Sequence, residues 1–183
     1  MNEVLKAIAG RYSCRDFSAN PLTGDQVKTL VEAALAAPSG MNRQPWHLIV
    51  VQDKPLIDEI DAEGMKILAA EEDKSAYQRF MERGGKLFYN APFMMIALLD
   101  EKNPSAMDCG ILIQNVALAA HSLGLGNVIC GMASVPISGS RGEEFKKRLK
   151  FPQGYKFGMS ILVGTANSGK DPHELDMAKV TYV

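Results

Sequence analysis

Apolar positions in this chain follow two periods. From Thr23 onward Val27, Leu30, Val31, Ala34 and Leu35 recur every three or four residues until Pro38, the interval of a helix with one buried face. Thr23 and Gln26 stand in capping-box positions, which predicts a helix over 24–37. The next stretch, "WHLIVVQD", is a β-branched run closing in a turn and reads as a central strand. Residues 56–83 mix charges with apolar positions at helical intervals, predicting one or two surface helices. "PFMMIALLD" is continuously apolar; we read it as a strand buried on both faces, although a buried helix segment has the same signature.

After the short "EKNPS", residues 106–123 carry small or apolar side chains on every side, Cys109, Gly110, Ala117, Ala119 and Ala120 among them, and Gly124 follows. This is the pattern of a helix enclosed by neighbours or by a second subunit, with a glycine stop. "NVICGM" and "YKFGMSILVG" supply two further strands, "GEEFKKRLK" a short charged helix, and "MNEVLKAIAG" a short amphipathic one. The tail, "TANSGKDPHELDMAKVTYV", begins polar and closes on the β-prone "KVTYV". No repeat, low-complexity tract or linker interrupts the 183 residues, so a single domain over 1–183 is expected. Strands scattered among helices without a regular βαβ period predict an α+β or mixed three-layer domain around one sheet.

Charge and cysteines narrow the function classes. With 20 basic and 21 acidic residues the net charge is −1, which argues against a broad electrostatic footprint for nucleic acid or an anionic membrane. Any phosphate bound is then small and local. Cys14, Cys109 and Cys130 are far apart with no CxxC pairing, so neither a disulfide framework nor a zinc site is indicated. No secretion signal is evident at the start. Asp108, Gln114, Asn115 and His121 interrupt the most apolar helix, at a cost lipid would not tolerate. A cytoplasmic protein is expected.

Two stretches carry candidate chemistry. In "RYSCRDF", residues 11–17, an extended backbone places Arg11, Ser13 and Arg15 on one face and Tyr12, Cys14 and Asp16 on the other. Guanidinium forks suit phosphate or carboxylate; the plainer alternative is solvated arginines paired with Asp16 or a distant acid. In "APSGMNRQPWHLIV", Ser39, Gly40, Asn42 and Gln44 precede the strand. Asparagine and glutamine offer donor and acceptor together, as the edge of a flat heterocycle requires, and Trp46 is a candidate wall. The plainer alternative is a turning loop. A phosphate-bearing heterocycle needs both stretches. His121 reads as a core or interface histidine, and "GLG" is too short for a dinucleotide fingerprint.

"RYSCRDF", "APSGMNRQPWHLIVV" and "GLGNVICGM", in this order and spacing, resemble the successive signatures of the nitroreductase family of flavin mononucleotide (FMN) enzymes. The resemblance implies an α+β three-layer sandwich with a mixed central sheet flanked by helices, and a homodimer holding FMN at its interface with the C-terminal segment exchanged across it. Arg11, Tyr12, Ser13 and Arg15 would hold the phosphate and the polar flavin edge. Pro38, Ser39, Gly40, Asn42 and Gln44 would come from the other subunit. Ile129, Cys130, Gly131 and Met132 would bring backbone N–H groups near flavin N5, Met41 and Met132 being candidates to touch the ring. Lys170 would reach the phosphate, and so would His173, where arginine is more usual; without the resemblance His173 reads as a solvated loop histidine. The short "EKNPS" departs from longer relatives and implies a shallower pocket or one lidded by residues 61–83. The implied activity is ping-pong reduction of nitroaromatics, quinones or similar acceptors by NADH or NADPH through the flavin. Flavin fragmentation, dehalogenation or ring oxidation on the same fold, and a non-catalytic flavin- or nucleotide-binding regulator, are the alternatives.

Overall fold

The computed structural model describes all 183 residues. Seven helices and four strands follow in the order α1 (Glu3–Gly10), α2 (Gly24–Leu35), β1 (Trp46–Val51), α3 (Lys54–Ala70), α4 (Ser75–Met81), β2 (Phe93–Asp100), α5 (Ala106–Ser122), β3 (Gly126–Cys130), α6 (Ser134–Ser138), α7 (Gly142–Arg148) and β4 (Tyr155–Gly164). The capping box predicted at Thr23 is formed, with Gln26 N–H donating to Thr23 Oγ1 and Thr23 N–H to Gln26 Oε1. The side chains of Asn2, Asp53 and Ser105 cap α1, α3 and α5 with a single bond each, accepting from the N–H groups of Leu5, Leu56 and Asp108. Short 3₁₀ turns lie at Gly40–Asn42, Gly131–Ala133 and Met177–Lys179.

The strands form one sheet in the order β1-β2-β4-β3. A mixed sheet was expected, but all three neighbour pairs are antiparallel. The reason is the return path: β1 ends at Val51 opposite Met94, near where β2 begins, so α3 and α4 bring the chain back to the end it left. The one parallel pairing is an isolated bridge between Ser13 and Asn127. On β2, Met94, Ile96 and Leu98 enter a core shared with α3, α4, α6 and α7. Phe93, Met95 and Ala97 enter a second core under α2 and α5. Burial on both faces is why this strand reads as a continuous apolar run, and helices on each side make the three layers.

One expectation is adjusted. Helix α3 was expected at the surface, yet Leu56, Ile57, Ile60, Asp61, Met65 and Leu68 are buried. Gly64 allows this approach, since a Cβ there would lie 2.2 Å from Leu87 Cδ1. The β-prone "KVTYV" forms no strand in this chain, and its residues are exposed. The open edge of the sheet is β1, paired only with β2, and the segment does not pair with it within its own chain.

Candidate functional site

Helix α1 stops at Gly10, and Arg11 already has extended dihedrals (φ −64°, ψ 134°). Three backbone bonds hold the segment that follows: Cys14 N–H to Asn127 O at 2.9 Å, Phe17 N–H to Tyr89 O at 3.3 Å, and Ser18 N–H to Thr165 O at 2.9 Å. Cys14 is buried and Arg15 exposed, but the predicted alternation is incomplete: Arg11, Tyr12 and Ser13 are all half-buried, Asp16 is exposed and Phe17 is buried. Gly126 makes the close bridge possible, since a Cβ there would meet Cys14 Sγ at 2.9 Å. Burial pushes the Cys14 thiol up from its ordinary value.

The chain leaving β4 folds back onto this segment. Asn167 N–H donates to Asp16 O at 3.1 Å and its side-chain amide to Asp16 Oδ1 at 2.9 Å, while Tyr12 O–H donates to Ser168 O at 3.1 Å. Lys170 and His173 are thereby carried to Arg11, Tyr12, Ser13 and Arg15, with which they line a cavity of about 260 Å³. Asp16 is engaged by an amide rather than by an arginine. Arg11, Arg15, Lys170 and His173 form no ion pair. Three cations thus face one acid on the cavity wall, Asp171, an arrangement suited to a small anion.

Arg15 also lines a second cavity of about 440 Å³ with Arg83, Lys86 and Asn90. Lys86 Nζ lies 3.5 Å from Asp58 Oδ1 and 3.4 Å from Asn90 Oδ1. These residues escaped sequence reasoning. The available signal was "RGGK" directly before an apolar strand, where Gly84 and Gly85 take φ of 94° and 70° and turn both cations to one place. The expected lid over 61–83 is not formed by α3, whose inner face belongs to the core; of that stretch, Arg83 reaches this cavity.

The loop 38–44 lies elsewhere. Gln44 N–H donates to Ser39 Oγ at 2.8 Å, Asn42 N–H to Ser39 O at 2.9 Å, and the Gln44 side-chain amide to Asn42 Oδ1 at 3.0 Å. Pro38, Gly40, Asn42 and Gln44 are exposed. Met41, Asn42 and Gln44 have φ of 53°, 53° and 48°, a left-handed conformation that non-glycine residues adopt at a cost and that clusters at functional sites. Trp46 is not a wall of any site: it is 7% exposed, in the core with α2 and α5. Register fixes the separation. Trp46 is level with Leu99 and hence Lys156, whereas Asn127, beside Ser13, is level with Val163. Six residues of rise on β2, from Phe93 to Leu99, put the two motifs about 20 Å apart along the sheet.

At the end of β3, Ile129 is partly exposed, Cys130 is buried, Gly131 is exposed and Met132 is half-buried against the core. Burial pushes the Cys130 thiol up to about 11, against the pull of the Met132 and Ala133 N–H groups. A Cβ on Gly131 would meet only Met159 Sδ, at 3.8 Å, so the backbone here is open to close approach. His121 packs against Gly10, its Nε2 2.9 Å from where a Cβ on that glycine would sit.

A three-layer α+β domain with an unpaired cationic cavity at one end of its sheet and a strained amide loop at the other defines a protein equipped for a small phosphorylated ligand. Residues 8–165 match the model of the nitroreductase family, and the chain belongs to that family. It is similar to a nitroreductase with bound FMN from Desulfitobacterium hafniense DCB-2 (53% identity, TM-score 0.96, covering 100% of this chain and 99% of that one). It also resembles a nitroreductase with bound FMN from Bacteroides fragilis NCTC 9343 (25% identity, TM-score 0.89, 100% of both chains). An FMN reductase (NAD(P)H) from Bacillus subtilis is 29% identical over 184 residues, 89% of this chain. The chain spans 65% of that curated relative and 61% of another, from Methanothermobacter thermautotrophicus.

Proposed function

We propose that this protein is an FMN-dependent oxidoreductase that uses NADH or NADPH to reduce nitroaromatics, quinones or similar acceptors. The observation that carries the reading is the convergence of Arg11, Arg15 and Lys170, none of them ion-paired, on one cavity. The bound FMN of the Desulfitobacterium and Bacteroides nitroreductases supports it. FMN, when bound, supplies the redox chemistry, taking hydride from the nicotinamide and passing reducing equivalents to the acceptor.

The chain's own residues bind and orient. Arg11, Arg15, Lys170 and His173 hold the phosphate, with Ser13 between the arginines. Arg15 continues into the second cavity, where Lys86 and Arg83 offer positive charge to the polar ring edge; preorganised cations there favour negative charge on the reduced ring. Gly131 gives the ring a backbone surface to lie against. A proton can come from solvent in so open a site.

The amide loop lies about 20 Å along the sheet from the phosphate cations, so a second copy of the chain supplies Ser39, Asn42 and Gln44 to the same ligand. Unpartnered apolar residues support such a dimer: Val4, Leu5 and Ile8 on α1, Met107 and Ile111 on α5, and Leu175, Met177, Val180 and Tyr182 in the tail are all exposed. The tail then pairs with the partner's sheet, each copy forming one domain over 1–183. Cys14, Cys109 and Cys130 are buried free thiols, in keeping with a cytoplasmic enzyme, and no helix is long and apolar enough to cross a membrane.

The test is spectroscopic. Purified protein should be yellow with one FMN per chain, bleach on adding NADH or NADPH under nitrogen, and regain colour with a nitroaromatic or quinone. Yellow protein that neither nicotinamide bleaches would point to a regulator instead.

A further inference from the structure

Asp61, Glu63, Asn127 and Ser160 are the polar or charged residues buried in this chain, and Ser160 is the most enclosed of them, at 0% exposed. A hydroxyl is taken out of water at a cost unless it is paired. Ser160 lies on β4 opposite Cys130, the last residue of β3, and its Oγ–H donates to Cys130 O at 2.5 Å.

That bond fixes the direction of one peptide. Carbonyls along a strand point alternately to its two edges. Asn127 O points to the outer edge of β3, where it accepts from Cys14 N–H at 2.9 Å, so Cys130 O, three residues on, points inward to β4, and Ser160 holds it there. The peptide is planar and trans; with its carbonyl turned inward, its N–H, that of Gly131, points outward. A 3₁₀ turn begins at Gly131, and the first N–H groups of such a turn have no partner within it. Those of Met132 and Ala133 face the Cys130 sulfur, while Gly131 is exposed. Gly131 N–H therefore leaves from the same edge of β3 that carries the arginine segment, about 13 Å along the strand from Asn127.

We infer that Ser160 is a positioning residue that, through the Cys130 carbonyl, aims Gly131 N–H at N5 of the flavin. The inference rests on the proposed reading, in which FMN lies with its phosphate on Arg11 and Arg15. N5 of an oxidised flavin presents a lone pair in the ring plane, and hydrogen bonds to ring nitrogens tune the ring's electronics. A donor held in place at the atom where electrons arrive needs no reorganisation at that moment. Glycine gives the backbone freedom to turn; the buried hydroxyl removes it on the carbonyl side.

The experiment is nitrogen NMR of the full chain loaded with FMN isotopically labelled at N1 and N5. A hydrogen bond to a ring nitrogen of this kind moves its signal upfield. Ser160→Ala should move the N5 signal downfield while leaving N1 in place, and should slow bleaching by NADH or NADPH under nitrogen about tenfold, the worth of one hydrogen bond. In wild type, hydrogen exchange of the Gly131 amide should slow about tenfold on loading FMN. An N5 signal unmoved by Ser160→Ala overturns the inference, whatever the variant's stability, and leaves Ser160 a structural partner of Cys130; equal movement of N1 and N5, the mark of a displaced ring, overturns it too. Should the variant fail to fold, the wild-type exchange decides: a Gly131 amide equally fast with and without FMN overturns the inference. Yellow protein that NADH or NADPH bleaches but that gives any of these results overturns this inference alone; protein that takes up no FMN removes the functional reading as well.

Discussion

At the scale of single residues, the arginine row owes its legibility to local geometry. Alternation in an extended backbone needs nothing beyond Arg11, Ser13 and Arg15 themselves. Replacing Arg11 or Arg15 by alanine should raise the FMN dissociation constant about 10- to 100-fold, the worth of a hydrogen bond to a charged group, while circular dichroism stays native. Normal flavin content in both variants would take the motif out of the site. Arginine offers a permanent planar fork of donors where histidine does not, so His173→Arg should tighten FMN. An unchanged dissociation constant would remove His173 from the phosphate.

Asp61 is a residue of another kind. Its carboxylate accepts from Phe88 N–H at 2.6 Å, and burial pushes its pKa up from the ordinary carboxylate value against that pull. The folded chain therefore holds the proton more tightly than the unfolded one, and this contribution to stability is present in acid and lost as pH rises from about 4 through the folded value. Asp61→Asn keeps an acceptor for Phe88, so its denaturation midpoint should vary less between pH 4 and 7 than the wild-type midpoint does. A steeper dependence would contradict this. Sequence placed Asp61 on a surface helix, because an acid at a helical position reads as solvated until its partner, a backbone amide 27 residues away, is known.

At the scale of elements, the register of β4 carries an irregularity that no periodicity reveals. Ala97 pairs with Met159 and Leu98 with Phe157, leaving Gly158 as the extra residue of a bulge. A Cβ there would lie 2.7 Å from Ala97 O and 3.1 Å from Cys109 Sγ. Gly158→Ala should therefore destabilise the fold by about 1–3 kcal/mol through overpacking, read as a lower denaturant midpoint at unchanged slope. Wild-type stability would show that the bulge relaxes. The amide loop was legible as a donor-rich stretch after a proline stop, but its left-handed residues were not: Met41 carries no turn propensity, and its φ follows from the bonds the loop makes to Ser39 and Gly40. Trp46 misled for a related reason. An aromatic beside a polar loop suggests a wall, whereas the pleat turns this one inward under α2 and α5.

At the scale of the whole molecule, the exposed apolar tail and the separation of the two motifs belong together. Removing residues 175–183 should give a monomer of lowered FMN content on size-exclusion chromatography with light scattering, with the helical circular dichroism preserved. A truncated chain that remains dimeric and yellow would locate the dimer contact on α1 and α5 alone. Apolar residues left exposed at these positions, Met177 and Tyr182 as much as Ile8 and Ile111, are costly to leave in water, a cost that the proposed second copy would offset.

Sequence by itself indicated the strands, with a buried helix left open for "PFMMIALLD", the long helices, and the residue types able to grip phosphate or a heterocycle edge, because period, capping and side-chain alternation depend on neighbours only a few positions apart. Tertiary structure decided which of these groups meet: it joins Lys170 and His173 to Arg11 and Arg15, which local pattern could not do and only the family resemblance implied, and it alone decided that Lys86 and Arg83 stand across Arg15 from them, that the sheet is antiparallel, and that the amide loop lies at the far end. Such meetings are set by where long connections return the chain, and that depends on how two cores pack rather than on any local pattern.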